Sequence, residues 1–476
     1  MTKHVAVVRL LLTAMFFWVL GAGFTAFPVV GVEVSELGQT TNDALYPPSA
    51  AADLSEFRPN QIIVKFDPNV PSEQKQWVIT QYGCRVGQSC PIGDLQLVVV
   101  PEAVSPHQMA DAFEIRQDVE YAEPNPYARM LFVPDDNFYA YQWNLDNAVT
   151  RGIRMEDAWN IGRGDPNVII AILDTGVAYE DFGVYRQAPD LADTLFVPGY
   201  DFINDDSHPN DDQGHGTHVA GTIAQSTNNG IGVAGVAFGC AVMPVKVLDE
   251  LGTGDHFTIA RGIRWAVDRG ARVINLSLGS PQSSRTMQEA VKMAYDRGVT
   301  VVCAAGNDSL RGNAASYPAA DAAYCIAVGA VRYDSRRASY SNTGYYLSVA
   351  APGGDTTVDQ NDDGYVDGVL QQTFRSDPSE FAYWFLQGTS MAAPHVSGLA
   401  ALLASQGVTN PDRIREAIEL TARDLGPAGW DAEFGWGIID AAAALTYYGP
   451  DGIPGNRVVA TQDSPPVPDE PLADSR

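Results

Sequence analysis

Between residues 131 and 448, short apolar, β-branched runs alternate with stretches of helical period. The runs are VIIAILDTGV, AVMPVKVLD, ARVINLSLG, VTVVCAAGN and CIAVGAV. The helical stretches include DHFTIARGIRWAVDRG and SRTMQEAVKMAYDRG. Runs that are apolar at nearly every position suit strands buried on both faces. The pattern therefore predicts an α/β fold, a three-layer sandwich with a mainly parallel central sheet. Reactive groups collect at the carboxyl ends of the strands in such sheets. Upstream the pattern differs. QIIVKF, LQLVVV and VEYAEPNPYA read as strands, and SEQKQWVITQYG and SPHQMADAFEIRQ as helices, the second with Ser105 as its cap. These elements predict a small α+β domain over residues 57–130. Residues 27–56 lack periodicity and read as a linker. The Pro- and acid-rich residues 449–476 read as a flexible tail.

The amino terminus changes the picture of where the protein works. Lys3 and Arg9 precede and flank the apolar run LLLTAMFFWVLGAGFTAF, with small residues at Ala22, Gly23 and Ala26. Residues 1–26 therefore read as a secretory signal peptide, and a retained anchor is the alternative. Lys and Arg total 30 against 58 Asp and Glu, a net charge of -28. Such a surface repels nucleic acid and anionic lipid, so neither is an expected partner, and a monomer is expected. Of five cysteines, Cys84 and Cys90 are spaced to close a short loop. Cys240, Cys303 and Cys325 sit in apolar runs as buried thiols. No CxxC pair suggests zinc.

Three motifs carry chemistry. AILDTGV puts Asp174 at the end of an apolar strand, where a carboxylate is costly unless bonded. GHGTHVAG places His215 between two glycines, with His218 one turn on. A metal site of the HExxH kind is not indicated, because no Glu follows His215. In GTSMAAPHVSG, Pro394 predicts a helix that starts near Ser390, because proline is tolerated in a first turn. A helix start aims free N–H groups at developing negative charge. Serine needs an imidazole to take its proton, and the imidazole needs a carboxylate to fix its tautomer. Asp174, His215 and Ser390 supply all three groups.

These motifs resemble those of the subtilisin-like serine proteases, the subtilase family, whose chain order of Asp, His and Ser they share. The resemblance covers about residues 131–446, and the upstream domain is similar to subtilase propeptides. It implies a secreted serine endopeptidase of the EC 3.4.21 class that acts on polypeptides through an acyl-enzyme. It also implies synthesis as a zymogen whose propeptide is an intramolecular chaperone and inhibitor, with a cut near residues 127–134. Asn307, in VVCAAGND, matches the side-chain oxyanion donor of the family. Ser277, Leu278 and Gly279, with Ala304, Ala305 and Gly306, resemble the walls of the primary specificity pocket. Gly252, Thr253 and Gly254 resemble the opposing edge, so that substrate would bind as an added strand.

A structural calcium ion is expected. In DQNDDGYVDG, Asp359, Asn361, Asp363, the Tyr365 carbonyl and Asp367 fall at positions 1, 3, 5, 7 and 9 of an EF-hand-like loop, with Gly364 at position 6. Position 12 is Leu370 and flanking helices are not evident, so the match is partial. STNNGIGVAGVA (226–237) resembles the subtilase calcium loop, with Asn228, the carbonyls of Gly230, Ile231 and Val233, and Gln142 as candidates. Two other functions remain open at this point: a catalytically silent peptide-binding scaffold, and a membrane-tethered maturation protease.

Overall fold

A computed structural model describes residues 31–32, 57–90, 94–102, 104–127, 132–146 and 151–448. The signal peptide and tail expected at 1–26 and 449–476 lie outside the described residues, as do most of the linker and part of the expected cut region. The described residues fall into two units, one of 57–127 and one of 132–448 together with 31–32.

The smaller unit runs from β2 (Phe57–Phe66) through α1 (Ser72–Gln81), β3 (Arg85–Cys90), β4 (Leu95–Val99) and α2 (Pro106–Glu114) to β5 (Val119–Pro126). A two-residue strand, β1 (Gly31–Val32), precedes them and belongs to the larger unit. The sheet order is β3-β4-β2-β5, and every pair is antiparallel. Alternation explains its one-sided core. Ile62, Val64 and Phe66 of β2 are fully buried and pack with Val78, Ile79 and Phe113 of the helices. Strand β3 was not expected, because RVGQSC is exposed along its whole length and carries no apolar rhythm. The spacing of Cys84 and Cys90 does not produce a bridge. Cys84 is buried in this core, Cys90 lies exposed at the end of β3, and all five cysteines are free thiols.

The larger unit contains α3 (Met155–Trp159), β6 (Ile169–Asp174), β7 (Tyr200–Asp201), α4 (His215–Ala224) and β8 (Ala241–Lys246). Then come α5 (His256–Asp268), β9 (Val273–Leu276), α6 (Arg285–Asp296), β10 (Thr300–Ala304), β11 (Ile326–Val331) and β12 (Val349–Pro352). Last are β13 (Val369–Thr373), β14 (Ala382–Leu386), α7 (Thr389–Ser405), α8 (Pro411–Leu420) and α9 (Ala441–Leu445). Seven strands form one sheet, ordered β12-β11-β10-β9-β6-β8-β7, with all pairs parallel. Successive residues of β6 serve two cores. Ile170 and Ile172 face α4 and α7, while Ala171 and Leu173 face α5 and α6. This is the three-layer arrangement that the continuous apolar runs predict. The short strands β13 and β14 form an antiparallel hairpin, extended by β1 on the β14 edge.

Candidate active site

Strands β6, β9 and β10 are neighbours in the sheet, and their carboxyl ends deliver Asp174, Ser277 and Asn307 to one edge. Two helix starts face that edge, α4 with His215 and α7 with Ser390. Asp174 is completely buried. Its Oδ1 accepts from the Thr175 N–H at 2.8 Å and meets His215 Nδ1 at 2.7 Å. Its Oδ2 is buried without a hydrogen-bond partner. The imidazole of His215 keeps about a quarter of its surface open. Burial pulls its pKa down, but the charge of Asp174, their hydrogen bond and the charge of Asp211 outweigh it. The group lies above its ordinary 6.5.

The glycines flanking His215 explain the close approach. A Cβ on Gly216 would sit 2.1 Å from the Gly176 carbonyl oxygen, so only glycine lets α4 lie against the turn after β6. His218 faces the other way. It is wholly buried, its Nε2 meets the Val369 carbonyl at 3.0 Å, and burial pushes its pKa down to about 3. It is a neutral structural imidazole.

Helix α7 begins one residue before Ser390, and Pro394 lies in its second turn, not its first. Proline has no N–H for the carbonyl four residues back, which is that of Ser390. The Ser277 hydroxyl fills the gap and donates to the Ser390 oxygen at 2.8 Å. Ser390 Oγ in turn donates to the Ser277 carbonyl at 3.1 Å. Asn307 is oriented by Thr389, whose N–H and hydroxyl donate to its Oδ1 at 2.9 and 3.0 Å. That leaves Asn307 Nδ2 free to point elsewhere. A Cβ on Gly388 would lie 3.5 Å from Asn307 Nδ2, 3.6 Å from the Ser390 nitrogen and 3.8 Å from Met391 Sδ. Two N–H donors therefore border one small space beside the Ser390 backbone.

The expected peptide-binding segments lie around this edge. Gly279 and Gly306 both abut Ser316. A Cβ on Gly279 would be 2.2 Å from Ser316 Oγ, and one on Gly306 would be 3.0 Å from Ser316 Cβ. The Ala305 carbonyl accepts from Asn342 Nδ2 and Tyr346 Oη, each at 3.1 Å. Ala304 is buried at the end of β10, and Leu278 is half-buried. Ser316, Asn342 and Tyr346 were not singled out by sequence, because each arrives from a distant loop. Gly252, Thr253 and Gly254 form a turn pinned by Asp249, whose Oδ1 accepts from the Thr253 N–H at 2.9 Å.

In the loop at 359–367 the carboxylates expected as calcium ligands accept hydrogen bonds from within the loop itself. Asp359 Oδ2 accepts from the Gly364 N–H, Asp363 Oδ1 from Tyr365, and Asp367 Oδ2 from Gln360. Asn361 Nδ2 donates to Asp363 Oδ2 at 2.8 Å. The acids close local turns, and among the described residues no group of three or more His, Cys, Asp or Glu is gathered around a metal position. Two further carboxylates lie beside the 226–237 loop. Asp136 and Asp190 are both buried against it, and burial pushes them up to about 6 and about 8. Asp136 Oδ2 accepts from the Asn228 N–H at 2.8 Å, while its Oδ1 is buried with no partner. Gln142 is tied to this loop. It bonds both the N–H and the carbonyl of Ala234.

Known proteins match the chain along most of its length. The family model for the Subtilase family matches residues 165–437, and that for the fervidolysin N-terminal prodomain matches residues 47–125. A thermophilic serine proteinase of Bacillus sp. strain AK1 is 35% identical over 426 residues, covering 86% of this chain and 94% of that protein. Thermitase of Thermoactinomyces vulgaris is 39% identical, covering 62% of this chain and 94% of its own. Among solved structures, a protease from Pseudoalteromonas arctica matches with a TM-score of 0.57 and 37% identity, covering 66% of this chain and 99% of that one.

Proposed function

The chain belongs to the subtilase family of serine proteases and carries an N-terminal prodomain, and from that premise we propose a secreted, self-processing endopeptidase working through Asp174, His215 and Ser390. The observation that carries the proposal is the 2.7 Å contact between buried Asp174 and half-buried His215, at the strand edge that also holds Ser390 and Asn307. Ser390 Oγ turns from the Ser277 carbonyl to His215 Nε2 and attacks the scissile carbonyl. His215 takes the proton and returns it to the leaving amine. Asp174 fixes the tautomer and stabilises the imidazolium. Asn307 Nδ2 and the Ser390 N–H receive the oxyanion. Substrate lies between the edges at 252–254 and 277–279, with its primary side chain between Ser277–Gly279 and Ala304–Gly306.

The prodomain acts as intramolecular chaperone and inhibitor. Its templating role answers a physical difficulty, since a seven-stranded parallel sheet has only non-local pairings to nucleate it. Secretion rests on the charged, apolar leader. Among the described residues no helix is long and apolar enough to cross a membrane. Subtilases are generally calcium-binding. Asp136, Asp190 and Asn228 would hold the ion, because Asp136 keeps a buried oxygen with no protein partner. When bound, the ion would neutralise two crowded carboxylates and fix the loop. Hydrolysis of denatured casein tests the proposal. The parent should cleave it and Ser390→Ala should not, and equal inertness of both would favour a silent peptide-binding scaffold.

A further inference from the structure

Thr175 lies between Asp174 and Gly176 and is gripped from two sides by buried ionic groups. Its hydroxyl donates to Asp211 Oδ1 at 2.8 Å and accepts from the Gly216 N–H at 2.9 Å, one residue beyond His215. Its carbonyl accepts from Lys246 Nζ at 2.7 Å. Thr175 and Lys246 are completely buried, and Asp211 is 1% exposed.

Asp211 is saturated. Besides the Thr175 hydroxyl, its Oδ1 accepts from the N–H groups of Gln213 and Gly214, and its Oδ2 from the N–H and hydroxyl of Thr217. It therefore holds the residues on both sides of His215. Lys246 is equally committed, donating also to Asp212 Oδ1 at 2.7 Å and the Leu248 carbonyl at 2.9 Å. A lysine this deep needs such partners. The residues after Asp174 and the segment around His215 come from different elements, 41 positions apart. Nothing local in either one fixes their spacing.

We propose that Asp211, Thr175 and Lys246 form a clamp that sets the distance between Asp174 and His215, with Thr175 as its central positioning residue. This deepens the proteolytic reading and rests on His215 as the proton carrier. No member of the clamp touches substrate. The clamp acts by keeping a hydrogen-bonded pair in register, where a small misplacement is expensive in rate.

The test is Thr175→Val, which keeps shape and removes the hydroxyl, beside Thr175→Ser, which restores it. In the full chain, Thr175→Val should lose on the order of tenfold or more in kcat with KM little changed, and Thr175→Ser should recover most of the loss. A second readout does not need turnover. In a Ser390→Ala background with ¹⁵N-labelled histidine, His215 should titrate at lower pH when Thr175→Val is added, and its Nδ1 proton should exchange faster. The charged groups acting on His215 are Asp174 and Asp211, and both favour its charged form, while His218 is buried, neutral and turned away. The Lys246–Asp212 ion pair lies behind Thr175. If Thr175→Val does not fold, Lys246→Met loosens the same clamp from the carbonyl side and should show the same titration shift. Unchanged kcat together with an unchanged His215 titration would overturn the clamp. If the parent is inert on casein, the proteolytic reading fails by itself, and the titration still decides the clamp.

Discussion

At the scale of single residues, the site is defined by which polar atoms are satisfied and which are left open. Asp174 uses one oxygen and Asn307 uses its carbonyl oxygen, so each side chain is fixed through one end. The free end of Asn307 is a donor, which is what a developing oxyanion requires. Replacing Asn307 with Ala should lower kcat about 10²–10³-fold with little change in KM, a magnitude known from subtilisin itself rather than derived for this chain. Steady-state kinetics on a peptide anilide would check it, and a loss confined to KM would reassign Asn307 to ground-state binding. In the proposed mechanism His215 sets the pH response. Its pKa in the free enzyme is raised above 6.5 and the neutral form is the proposed base, so the acid limb of kcat/KM should lie above pH 6.5. The same charged pair contributes stability below the ordinary imidazole value, and that contribution is lost as pH rises through the raised value. A pH–rate profile with its acid limb well below 6.5 would contradict this assignment. Asp174 was legible in the sequence because a carboxylate after Ala-Ile-Leu needs a partner. Asp211 was not, because in DDQGHG it reads as one acid in a solvated run, and only the fold reveals its five donors.

At the scale of elements, positions are set by what backbone contacts permit. Helix α4 approaches β6 only because Gly216 has no side chain. Gly216→Ala should abolish measurable activity and lower Tm by several degrees, since neither contacting backbone can yield cheaply. Thermal unfolding and casein hydrolysis of that variant would check both effects, and near-parental activity would show that the contact is not needed. Helix α7 shows how a rule can be right while its register is wrong. Pro394 lies in the second turn because the Ser277 hydroxyl satisfies the carbonyl that proline leaves unbonded. Ser277→Ala should therefore cost about 1–3 kcal/mol of stability, read as a drop in Tm, because it leaves the Ser390 oxygen unpaired. The main strands were readable from apolar runs. Strand β13 was not, because Gln371 and Gln372 break its rhythm. Both are buried, and each meets a distant backbone group, at Ala234 and Asp190 respectively.

At the scale of the whole molecule, two features go beyond the triad. The first is the proposed cation site at Asp136 and Asp190. Buried Asp136 and Asp190 are costly as charged groups without a counter-ion, and a bound calcium would offset that cost. A ligand held only by the folded state stabilises it by about 2.7 kcal/mol at a hundredfold excess over Kd. Chelator should thus lower Tm, and Asp136→Asn should remove most of the calcium-dependent part. A Tm indifferent to chelator would dismiss the site. The second feature is the division into a prodomain and a protease unit, on which the proposal of self-processing through Ser390 rests. The measurement that tests it most directly is the intact mass of the secreted parent chain and of Ser390→Ala, expressed side by side. The parent should be shortened to a start near residues 127–134, and the Ser390→Ala chain should keep its prodomain. Identical shortening of both chains would contradict self-processing through Ser390.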